Sequence, residues 1–150
     1  MDDMTSFEGD TGPYLQYAHS RLCSIKRRAD LTDEEISSAD LSLLKEGHAT
    51  NIVRMLAQWP DVFQNTLKTQ EPTTVITYLF KMTHVVSSSY DHLQVVNSER
   101  ELMKARMALY DATRIVISNG MRLLGLTPLE RYVMEGCGKF TSSFFWLTRA

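Results

Sequence analysis

The sequence predicts an all-α protein, a helical bundle of about five helices, on three observations. Apolar residues recur at spacings of three and four through most of the chain. Prolines and glycines fall where those runs start and stop. No segment sustains the alternation that a half-buried strand requires. With 150 residues, 43% of them hydrophobic and 23% charged, the chain can bury roughly 70% of its unfolded surface, so neither metal nor disulfide is needed to hold a core.

Residues 1–12, rich in Gly, Asp and Ser, are expected to be a loop. Gly12-Pro13 opens the first helix: Pro13 suits a first helical position because its missing N–H would be unpaired there anyway, and Thr11 or Asp10 stands near as a cap. Leu15, Ala18, Leu22 and Ile25 give it one apolar stripe as far as Ala29. Acidic, Ser-rich 30–39 is expected to be a solvated connection. A second helix is predicted over 40–58, burying Leu41, Leu44, His48, Ile52, Met55 and Trp59. Trp59-Pro60 is expected to break it, since proline disfavours helical geometry in the residue before it, leaving a short helix over 61–69.

Glu71-Pro72 restarts the pattern, and Val75, Leu79, Val86, Tyr90 and Leu93 predict a long helix to about Val96. Ser98 and Glu101 make a capping-box pattern for a final helix ending at Leu124, with Gly125 as its stop. Its expected buried face is Leu102, Ala105, Leu109, Ala112, Val116 and Leu123, with Arg100, Lys104, Asp111, Arg114 and Arg122 on the other side.

Composition narrows the function. A net charge of −2 gives no general attraction to nucleic acid, so such a partner requires a local basic patch. Cys23 and Cys137 are too few for a disulfide framework or a zinc site. The acidic N-terminus lacks the pattern of a targeting peptide, and the apolar runs are too short to span a bilayer. A cytoplasmic protein with no membrane or DNA partner is expected.

The first helix carries a second stripe that its core does not require. Tyr14, Tyr17, Arg21 and Arg28 recur at three, four and seven, and Arg21, Lys26, Arg27 and Arg28 concentrate positive charge. Aromatic faces stack on unpaired bases for roughly 1–3 kcal/mol each, and arginines hold phosphates or base edges. Tyrosines beside an apolar stripe also serve as half-buried core residues with a wet hydroxyl. Spacing alone leaves both roles open.

The run Ser6-Phe7-Glu8-Gly9-Asp10-Thr11-Gly12-Pro13-Tyr14-Leu15-Gln16-Tyr17-Ala18-His19-Ser20-Arg21 closely resembles the entry into the C-terminal anticodon-binding domain, of DALR type, of arginyl-tRNA synthetases. Leu123-Leu124-Gly125-Leu126-Thr127-Pro128-Leu129-Glu130-Arg131 resembles that family's closing segment. The resemblance implies a helical domain over 13–131 that binds the anticodon arm of an arginine tRNA, tRNA(Arg). It implies anticodon contacts at Tyr14, Tyr17 and Arg21 and, across less distinctive sequence, at Tyr90, for which packing in the core is an equal alternative. Lys26 and Arg28 are candidate phosphate contacts.

The chain also departs from the family. No segment resembles the catalytic signatures HIGH and KMSKS, no Gly-rich phosphate loop precedes a helix, and His19, His48, His84 and His92 lack metal-ligand spacing. No catalytic residue, metal site or cofactor is therefore expected. ATP and arginine belong to the parent enzyme's missing domain, and the chain by itself is expected to be inactive. A partner catalytic domain or synthetase chain is an open alternative, and a mitochondrial location is open for the parent. Tyr132 stands where family members typically end in methionine, and the atypical tail 132–150 carries the apolar run Phe144-Phe145-Trp146-Leu147. A truncated or mis-predicted gene product is one expectation from these departures. A helical protein-interaction scaffold that has lost RNA binding is the other alternative.

Overall fold

In a computed structural model, which describes residues 11–96 and 98–132, five α-helices form the bundle. They are α1 (Gly12–Ala29), α2 (Asp33–Ser37), α3 (Gly47–Thr69), α4 (Thr73–Ser89) and α5 (Arg100–Leu123), with one 3₁₀ turn at Leu41–Leu43. No strand occurs among the described residues. The tail run 140–147 and most of the expected N-terminal loop lie outside them.

The number of helices is as the sequence predicts, but several of the elements differ. The stretch 30–39 is not merely a connection. Thr32 accepts from the Glu35 amide, the Glu35 carboxylate reaches back to the Thr32 N–H, and this capping box starts α2. Burial of Leu31 and Ile36 then fastens the short helix to the bundle. The predicted 40–58 helix starts later, at Gly47, and Leu41 is 57% exposed.

Pro60 does not end that helix. α3 runs through it to Thr69, absorbing the predicted 61–69 helix. Pro60 costs the helix its hydrogen bond to the Leu56 carbonyl, but Leu56, Trp59 and Val62 pack against the core on both sides of it. The proline itself is exposed. Packing over two turns outweighs one missing bond.

α4 ends at Ser89, shorter than predicted, and the chain turns through 90–96. Leu93 and Val95 are buried in the turn, not on a helix. The Ser98–Glu101 capping box does not form either. Glu99 takes the N-cap position, and the Ser98 hydroxyl donates to the Gln94 carbonyl. A cap is worth about 1 kcal/mol, whereas burying Leu93 or Val95 is worth about 1.5–3 kcal/mol each. The core sets this boundary.

α5 is the central helix, in contact with all four other helices and the 3₁₀ turn. Its buried side is Ala105, Met107, Leu109, Tyr110, Thr113, Ile117 and Met121. Ala112 is exposed and Leu123 is 52% exposed, so the predicted stripe is displaced by about one position. A helix packed by neighbours on several sides buries a wider arc than one stripe reveals. α3 and α4 form an antiparallel pair: the Tyr78 hydroxyl donates to the Met55 carbonyl (2.8 Å), and at the far end His48 stacks on His92 with centroids 4.1 Å apart. α4 and α5 are antiparallel as well, with Ser89 against Tyr110 and Leu79 against Gly120.

Gly125, at φ +76°, lets the chain reverse after α5, and the Leu126 amide bonds back to the Met121 carbonyl. The closing segment then runs beside α1. Gln16 brackets it, donating to the Thr127 carbonyl and accepting from the Leu129 amide, both at 2.9 Å. His19 Nδ1 meets the Leu129 carbonyl at 2.9 Å, and Arg27 donates to the Glu130 carbonyl. These partners occupy one flank of α1 and leave the Tyr14–Tyr17–Arg21 flank to α4 and the 90–96 turn.

Candidate nucleic-acid interface

The tyrosine–arginine stripe of α1 does lie at the solvent edge, and it faces the end of α4. Tyr14 and Tyr17 are half-buried. The Tyr14 hydroxyl shares a 3.0 Å hydrogen bond with the Ser87 hydroxyl, and its ring leans on His84 with centroids 5.6 Å apart. One turn on, Arg21 Nη1 donates to the Tyr17 hydroxyl at 3.3 Å, and its guanidinium carbon sits 4.4 Å above the Tyr90 ring centroid. A cation over an aromatic face is held by the ring quadrupole for about 0.5–2 kcal/mol. The fold thus brings Tyr17, Arg21 and Tyr90 into one corner, with Tyr14 beside it.

Of the two roles that the sequence left open for Tyr90, the structure shows packing. Its ring packs against the core and lies 5.8 Å from Tyr110, tilted. Its hydroxyl oxygen is buried with no hydrogen-bond partner, and so is Arg21 Nε. Burial pushes the Tyr90 phenol well above its ordinary pKa, against the opposing charge of Arg21, so the hydroxyl stays protonated and available as a donor. Unpaired buried polar groups cost about 1–3 kcal/mol each, and most native structures avoid them. Two in one corner are a departure from structural economy.

A narrow cleft of about 60 Å³ opens here, lined by Arg21, Ile25, Arg28, Tyr90, Gln94 and Val96. Small-molecule pockets run from roughly 300 Å³ upward, so this cleft admits an edge or a flat group rather than a whole ligand. Arg28 stands at its exposed rim, seven residues from Arg21 and on the same side of α1. Lys26 points elsewhere. It pairs with Asp33 at 2.7 Å and with Asp111 at 3.3 Å, on the face toward α2 and α5. Those carboxylates and its hydrogen bonds hold the ammonium pKa above its ordinary value although burial opposes them.

Gln94 and Val96 of the cleft were beyond sequence reasoning, because a continuous helix to 96 would have pointed them differently. Among the described residues no group of His, Cys, Asp and Glu could hold a metal ion, and no helix is long and apolar enough to cross a membrane.

The described residues thus form an all-α bundle that displays two tyrosines and an arginine on its first helix. The chain belongs to the DALR anticodon binding domain family, whose model matches residues 15–132. It is 63% identical over 129 residues to the cytoplasmic arginine–tRNA ligase of Saccharomyces cerevisiae, a match covering 85% of this chain and 21% of that protein. The mitochondrial arginine–tRNA ligase of the same yeast is 50% identical over 129 residues, covering 85% and 20%. The arginyl-tRNA synthetase of Thermus thermophilus superposes with a TM-score of 0.76 at 26% identity, covering 83% of this chain and 22% of that one. The chain thus spans about a fifth of the length of the curated relatives it matches.

Proposed function

We propose that this bundle binds the anticodon arm of an arginine tRNA. In this reading the loop opens, bases stack on Tyr14 and Tyr17, and a base edge enters the cleft to meet the Tyr90 hydroxyl and Arg21 Nε. Arg28 holds a phosphate at the rim, and Lys26 serves the fold. The observation that carries the reading is the pair of buried, unpartnered polar atoms on Arg21 and Tyr90. A base edge entering the cleft would supply a partner to each of them.

Arginylation itself, with its ATP and arginine, falls to a catalytic part supplied with this domain or by a separate chain. The domain's contribution is to hold the tRNA so that its acceptor end reaches that site, which is an orienting role.

The test is a titration of the chain with a tRNA(Arg) transcript at several salt concentrations, beside the same tRNA with its anticodon bases replaced and a Tyr17→Ala protein. Binding that falls with both changes supports the reading. Binding indifferent to both the anticodon and Tyr17 overturns it and leaves a helical scaffold.

A further inference from the structure

The cleft wall formed by the 90–96 turn has few backbone bonds of its own, chiefly from the His92 and Leu93 amides to the Ser89 carbonyl, and is seated by buried Leu93 and Val95. No helix or strand ladder orders its backbone, and Gln94 and Val96 are exposed. A further tie comes from behind it, on α5. Arg106 Nη1 donates to the Gln94 carbonyl and to the Ser98 hydroxyl, both at 2.6 Å, while Nη2 donates to Glu46 Oε1 at the start of α3. The Arg106 side chain is only 12% exposed. One guanidinium therefore ties the later part of the turn, at Gln94, and Ser98 just beyond it to α5 and to the start of α3.

Two further contacts act on the same segment. The Tyr110 hydroxyl donates to the Leu93 carbonyl at 3.3 Å while it pairs with the Ser89 hydroxyl, and the His48 ring stacks on His92. Glu46 Oε2 and Arg106 Nε are buried without hydrogen-bond partners, while the Lys45 and Glu46 backbone also favours the ionised carboxylate.

We propose that Arg106, held by Glu46, is a positioning residue for the anticodon-loop interface: it touches no RNA but fixes the turn that carries Gln94 and Val96 opposite Arg21. This rests on the RNA-binding reading above. A guanidinium is needed because three acceptors lie in different directions, and its fork reaches all three at once. A lysine ammonium on its flexible stem cannot reproduce that fan.

The test uses the whole chain with Arg106→Lys and Glu46→Gln, read in two ways. Amide hydrogen exchange of Leu93 and Ser98, whose N–H groups bond to the Ser89 and Val95 carbonyls, reports the turn in the free protein. The ratio of affinities for tRNA(Arg) with native and replaced anticodons reports the interface. Arg106→Lys is expected to speed exchange in the turn at least about tenfold, with α4 and α5 unchanged, and to cut anticodon preference about tenfold. Glu46→Gln keeps an uncharged acceptor and is expected to give intermediate values. The salt dependence of binding should stay the same in both, because neither residue neutralises a phosphate.

Full retention of preference and protection in Arg106→Lys overturns the positioning role alone. A salt slope reduced by about one overturns it too, since Arg106 would then be a phosphate contact. Should Arg106→Lys fail to fold, Glu46→Gln decides: an unchanged turn and unchanged preference overturn the proposal. A wild-type chain with no anticodon preference overturns the RNA reading itself, a result distinct from all of these.

Discussion

Replacing Tyr90 with phenylalanine should move stability and binding in opposite directions. The substitution removes one oxygen and keeps the ring, so the stacking of Arg21 over it, at 4.4 Å, is retained. In the free protein that oxygen is buried without a partner, and an unsatisfied buried hydroxyl costs about 1–3 kcal/mol. The Tyr90→Phe protein would escape that cost and bury slightly more apolar surface, so it should be more stable by about 1 kcal/mol. For a domain of this size that corresponds to a rise in Tm of roughly 3–6 °C. In the complex the same oxygen would donate to a base edge, a bond worth about 0.5–1.5 kcal/mol net. Affinity for tRNA(Arg) should therefore fall about 2- to 10-fold. Thermal unfolding by circular dichroism and a filter-binding titration read the two effects. A Tm that falls shows that the hydroxyl is satisfied in the free protein. A higher Tm with unchanged affinity shows that the orphan atom is mere imperfection, and the reasoning that led from it to RNA would be refuted.

Arg28→Ala should lower tRNA affinity severalfold and reduce the salt slope by about one, whereas Lys26→Ala should leave affinity within about twofold, because its ammonium is occupied by Asp33 and Asp111. Titrations over a range of salt would separate them. Gly120→Ala should destabilise the fold by about 1 kcal/mol: its Cβ would lie 2.7 Å from a methyl of fully buried Leu79, and overpacking of about 1–3 kcal/mol exceeds the helix-propensity gain of about 1. Urea midpoints would check it. His19 is buried and its pKa lies below the ordinary 6.5, with burial as the main cause and the Leu129 carbonyl opposing. The unfolded chain therefore binds its proton first, so stability should fall as pH drops below about 6.5 and level off below the folded value. His19→Gln should flatten the Tm-against-pH curve in that window, above the range where the Glu46–Arg106 pair begins to protonate.

Local rules placed what local rules govern. Gly12-Pro13 started α1, Gly125 ended α5, and the apolar stripes of α1 and, as far as Val86, of α4 were legible because helical spacing puts their residues on one face. The stripe Tyr14–Tyr17–Arg21–Arg28 was legible for the same reason, since residues three, four and seven apart share a helix face whatever the rest of the chain does. The family followed from literal sequence at the two ends of the domain.

Tertiary structure decided the remainder. Pro60 was tolerated because Leu56, Trp59 and Val62 are anchored in the core, α4 stopped at Ser89 so that Leu93 and Val95 could be buried, and Ser98 turned from cap to clamp. The pairing of Arg21 with Tyr90 joins residues 69 positions apart, and no period in the sequence encodes it. Periodicity says which residues share a face. Which faces meet depends on how several helices fill one core, and there the burial of a few large side chains outweighs any single cap, proline or salt bridge.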